Sequence, residues 1–90
     1  MNKGERFENI LTKIILPQYP EFYEVKVVVH GDIGEIYFYS VRYFSVQKPS
    51  SKMMQRVSDE TVSLFHMLGE KKGSDLQVYF VDSLRVRRIK

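Results

Sequence analysis

Residues 35–47 read Glu-Ile-Tyr-Phe-Tyr-Ser-Val-Arg-Tyr-Phe-Ser-Val-Gln, a run without proline or glycine that carries five of the chain's twelve aromatic residues. This predicts a long β-strand, because β-branched and aromatic side chains fit a pleated, half-buried surface. Side chains alternate along a strand, so the run divides into two faces. Ile36, Phe38, Ser40, Arg42, Phe44 and Val46 share one face; Tyr37, Tyr39, Val41, Tyr43 and Ser45 share the other. The phenylalanines are expected to meet a core and the tyrosines to look away from it. Ser40 and Arg42 interrupt the inward face, which implies a bulge there or a strand that outruns the core.

What surrounds this strand follows from periodicity. Phe7, Ile10, Leu11, Ile14 and Ile15 form one stripe of a helix over Lys3–Leu16. Pro17 stops it, because the residue before a proline avoids the α region. Tyr19, Phe22 and Tyr23 in the following link are expected to plug the end of the core. Glu24–His30 is a second strand, with Val25, Val27 and Val29 inward and Lys26, Val28 and His30 outward. Gly31-Asp32-Ile33-Gly34 then predicts a hairpin into the aromatic strand.

Beyond Lys48-Pro49, Ser50 or Ser51 caps a second helix that runs to about Leu68, with Gly69 as its terminator. Met54, Val57, Thr61, Leu64, Phe65 and Leu68 make its buried stripe, and Ser58-Asp59-Glu60 is a point where it could bend. Asp75–Val81 is a third strand, with Leu76, Val78 and Phe80 inward. Leu84–Lys90 is expected to pair back as a fourth, with Leu84 and Val86 inward and Arg85 and Arg87 outward. Both helices have one apolar stripe and the strands one apolar face. The expectation is a single α+β domain over residues 1–90: a two-layer sandwich of order α-β-β-α-β-β, one mainly antiparallel sheet with both helices on one face.

The chain has no cysteine, which removes disulfides and thiolate metal sites. It opens on an amphipathic rather than an apolar pattern and holds no long apolar run, so a cytoplasmic protein without membrane contact is expected. Of the formal charge of +3, residues 83–90 carry four basic groups and no acid. That basic end could contact an anion or nucleic acid, or simply keep an edge strand soluble.

No catalytic signature is present. The two histidines are His30 at a strand end and His66 on a helix. His30 and Asp32 could meet at the hairpin tip as a metal or acid–base pair, or could be ordinary turn residues. The glycines at 31 and 34 join strand to strand, unlike a phosphate-binding loop. No enzyme, cofactor or metal is expected.

The outward sheet face is the informative surface. Lys26, Tyr37, Tyr39, Tyr43, Tyr79, Arg85 and Arg87 are its candidate binding residues. Tyrosine and arginine suit a protein interface or homodimer. Aromatic rings flanked by cations also suit single-stranded nucleic acid. A third reading is structural, with cross-strand tyrosine pairs stabilising a half-wet sheet. The order of elements, the helix ending in Leu16-Pro17, and the valine strand leading into Glu35-Ile36-Tyr37-Phe38-Tyr39 resemble small bacterial immunity proteins of the YezG-like group. That resemblance spans most of the chain, although the tryptophans of such proteins are absent, and implies binding of a cognate toxin.

Overall fold

The computed structural model describes residues 2–40, 49–68, 75–82 and 86–89. Along the chain run α1 (Lys3–Ile14), a 3-10 turn (Leu16–Gln18), β1 (Phe22–His30), β2 (Ile33–Ser40), α2 (Ser51–Met67), β3 (Asp75–Val81) and β4 (Val86–Arg88). The α+β class holds, with two helices packed on one face of one sheet through a shared core.

The sheet is mainly antiparallel, as expected, with one parallel pair. Its order is β1-β2-β3-β4, and β2 pairs with β3 in parallel while the two outer pairs are antiparallel. The sheet is therefore mixed. The connection from β2 to β3 passes through α2 and returns the chain to the same end, which makes the neighbours parallel. The described part of the fourth strand is Val86–Arg88, and Leu84, Arg85 and Lys90 of the expected strand lie outside the described residues.

Local signals set the helix ends. The Asn2 side chain accepts from the Glu5 amide at 2.8 Å at the start of α1. Ser50 accepts from the Met53 amide at 3.1 Å at the start of α2. Each satisfies one donor that the first helical turn leaves without an intrahelical partner. The Gln18 side-chain amide donates to the Ile14 carbonyl at 2.7 Å, closing the other end of α1 ahead of the Pro17 turn. Gly69 lies outside the described residues. α2 runs unbroken through Ser58-Asp59-Glu60.

The hairpin is tighter than predicted. His30 pairs with Ile33, leaving a two-residue turn of Gly31 and Asp32, and Gly34 belongs to β2. Gly31 has φ of +60°, and no other described residue has positive φ. Glycine at the first central position suits a type II′ turn, whose twist matches that of the strands. The register then puts Val25 opposite Phe38 and Val27 opposite Ile36.

The core gathers Phe7, Leu11 and Ile15 from α1, Met54 and Val57 from α2, and Val25, Ile36, Phe38, Val78 and Phe80 from the sheet. Phe38 stacks on Phe80 at 5.5 Å between ring centroids, and Phe22 tilts against both. Two stripe residues fall outside: Ile14 is 44% and Leu68 49% exposed. Each lies in the last turn of its helix or just beyond it.

Ser58 replaces Leu68 in the buried stripe. It is fully buried, and its hydroxyl has no hydrogen-bond partner among the described residues. Nearby, the buried Thr61 hydroxyl donates to the Val57 carbonyl at 2.8 Å. Ser58→Ala should therefore stabilise the protein by about 1 kcal/mol, since it removes a desolvated polar group. A rise in the urea midpoint would register the gain; a fall would mean that the hydroxyl is satisfied.

Candidate functional site

Alternation along the paired strands builds the face turned away from the helices. Register aligns Lys26, Tyr37, Tyr79 and Arg88 in one row across the sheet. Val28, Glu35 and Gln77 form the row on the hairpin side, and Glu24, Tyr39, Val81 and Val86 the row on the other. Phe38, between Tyr37 and Tyr39, is fully buried under the helices, so the expected parity of this strand holds.

The tyrosines form a fixed ridge. The Tyr37 and Tyr79 rings stack at 4.8 Å with 11° between planes. That separation matches the spacing of neighbouring strands, roughly 4.8 Å. Near-parallel rings so close must overlap, so each covers one face of the other. Both hydroxyls are also held: Tyr37 donates to Glu35 Oε2 at 2.5 Å, and Tyr79 donates to Gln77 Oε1 at 2.7 Å. These partners are two residues back on the same strands, hence on the same face. The other Glu35 oxygen meets His30 Nε2 at 3.0 Å.

One carboxylate thus joins the hairpin end to the tyrosine row. The hydrogen bond to Glu35 pushes the Tyr37 hydroxyl up from 10.0 to about 12, with desolvation and the negative charge of Glu35 adding to it. A phenol whose folded pKa lies above its unfolded value contributes stability that is complete below the unfolded value. The contribution is lost as pH rises from about 10 through about 12. Glu35→Ala should bring the Tyr37 titration back toward the ordinary phenol range, followed by ultraviolet difference absorbance of phenolate. An unmoved titration would remove Glu35 as the cause.

One correction concerns β4. Arg88 pairs in register with Tyr79, Arg87 with Phe80 and Val86 with Val81. The parity expected for β4 is therefore inverted: Val86 is 59% exposed on the outer side, while Ile89 packs against the core. The His30 ring pairs with Glu35, on the strand beyond the hairpin turn. Among the described residues no group of three or more His, Asp or Glu is placed to hold a metal. Lys26, Tyr37, Tyr39 and Tyr79 come together as expected. Tyr43, Arg85, Val41 and Arg42 lie outside the described residues.

Tyr23 joins the face unexpectedly. A register shift between Phe22 and Glu24 lets Phe22 and Val25 both face inward. Tyr23 is left 58% exposed, its ring 6.3 Å from that of Tyr39. The irregularity lies opposite Ser40, so a bulge does occur at the break in the inward pattern, but in the partner strand. Simple alternation cannot reveal Tyr23, because the extra residue resets the count. Glu35 and Gln77, by contrast, share odd numbering with Tyr37 and Tyr79.

No protein-family model matches this chain, and no curated protein or solved structure is significantly similar to it. The resemblance to immunity proteins rests on the residues quoted for it. No helix among the described residues is long and apolar enough to cross a membrane.

Proposed function

We propose that this chain is a small non-catalytic binding module whose tyrosine-bearing sheet face seats a protein partner or a second copy of itself. The observation that carries this is the stacked, hydrogen-bonded Tyr37–Tyr79 pair. Its rings and hydroxyls are fixed before any partner arrives, so little side-chain freedom remains to be lost on binding. Tyr23 and Tyr39 extend the aromatic surface beside it, and Lys26 lies in the same row. Aromatic anchors with a mixed polar rim are the usual makeup of interface hot spots.

The competing reading is single-stranded nucleic acid on the same face, with the basic C-terminal segment contacting phosphates. Bases stack on open ring faces. Here the two central rings overlap each other, and Glu35 and Glu24 put negative charge among them, which favours a protein partner.

The test is association as a function of concentration, by sedimentation for self-association and by titration for a partner. Tyr37→Ala with Tyr39→Ala should weaken it by about thirtyfold or more per anchoring tyrosine. Circular dichroism should show the fold intact. A double variant that unfolds would make these rings core and defeat the reading. Binding to single-stranded RNA or DNA that weakens steeply with salt would decide for the nucleic-acid alternative.

A further inference from the structure

The tyrosine ridge has no hydroxyl proton left to give. A phenol carries one donor and accepts through its oxygen lone pairs. Tyr37 commits its proton to Glu35 Oε2 at 2.5 Å, and Tyr79 commits its own to Gln77 Oε1 at 2.7 Å. Register places Glu35 beside Gln77 and Tyr37 beside Tyr79 on adjacent strands. The two hydrogen bonds therefore run side by side, and the ring stack at 4.8 Å keeps both phenol oxygens together. A carboxylate has about four acceptor sites. Tyr37 occupies one on Glu35 and the His30 Nε2 contact at 3.0 Å another. What this corner offers an incoming group is acceptor capacity alone.

Charge points the same way. Glu35 is the only formally charged member of its row, beside Val28 and Gln77, among the described residues. The next row toward the hairpin holds His30, Ile33 and the exposed Asp75. Lys26 and Arg88 belong to the tyrosine row, on its two outer strands, and Glu24 lies in the row beyond. An anion arriving at the phenol oxygens finds no hydroxyl proton to meet it. A guanidinium has five donors and no acceptor, and its planar fork can reach two neighbouring oxygens at once. An ammonium is a compact point charge and bridges them less well.

The geometry points to a protein partner that sets an arginine against Tyr37, Tyr79 and Glu35 on the hairpin side of the ridge, an inference that rests on the interface reading above. Blocked tripeptides with a central arginine, lysine, citrulline or glutamate, titrated into the full chain at low salt, test it through chemical shifts. The arginine peptide should move the Tyr37 and Tyr79 ring signals and the Glu35 and Gln77 amides. The lysine peptide should bind more weakly. Citrulline, which keeps the shape without the charge, and glutamate should leave these signals in place. Glu35→Gln retains an acceptor for Tyr37 but removes the charge, and should weaken the arginine peptide about tenfold. Tyr37→Phe with Tyr79→Phe should weaken it by a similar factor, with the fold of each variant checked by circular dichroism. An equal response to citrulline, a preference for glutamate, shifts centred on Lys26, or no shift at the highest soluble concentration would each overturn the proposal. So would a single-stranded oligonucleotide that moved the same ring signals. Association that is lost in Tyr37→Ala with Tyr39→Ala, in a chain indifferent to the arginine peptide, would remove the arginine and leave the interface standing.

Discussion

Phe38→Ala is expected to lower the unfolding free energy by about 3–5 kcal/mol, enough to leave a chain of this size largely unfolded near its working temperature. The ring is fully buried, stacks on Phe80 and tilts against Phe22. Its removal takes away contacts from both outer and central strands at once. The neighbouring Tyr37→Ala should cost far less, because that ring is only half-buried and lies on the other side of the sheet. Urea unfolding of the two single variants measures the contrast. Equal losses would mean that both faces of β2 are core and that the tyrosine surface does not exist.

Leu11→Ala is the second large effect, at about 2–5 kcal/mol. Leu11 is fully buried in the last turn of α1, in the same cluster as Phe7, Ile15, Val25 and Ile36. α1 is 12 residues long, too short to persist on its own, so its order depends on this burial. Ile14→Ala, one position from the buried Ile15 but 44% exposed, should change stability by less than about 1 kcal/mol. The pair separates the part of the stripe that is packed from the part that only follows the period. A large loss at Ile14 would relocate the helix on the sheet.

Much of this was legible because alternation and helical period act within single elements. The inward set Val25, Ile36, Phe38, Val78 and Phe80, the outward tyrosines and the Ser50 cap all follow from spacing along one segment. What was not legible depends on neighbours. The parallel β2–β3 pair is set by where α2 returns the chain, which no single strand records. The β1 bulge moves Tyr23 to the surface, although its composition suited the core as well as Phe22 did. In β4, the string Leu-Arg-Val-Arg-Arg-Ile admits two alternating readings, and the burial of Ile89 selects the one with Arg88 outward.

On the far side of β1 from β2, the Glu8 carboxylate of α1 accepts the Val27 amide proton at 2.9 Å. A strand at the border of a sheet offers such donors to any extended chain that drifts past, which is how orderly folds seed fibrils. Here a newcomer must first evict an anion supplied by the protein's own helix. Loss of that carboxylate would therefore be felt less in the folded monomer than in the ease with which many copies join edge to edge.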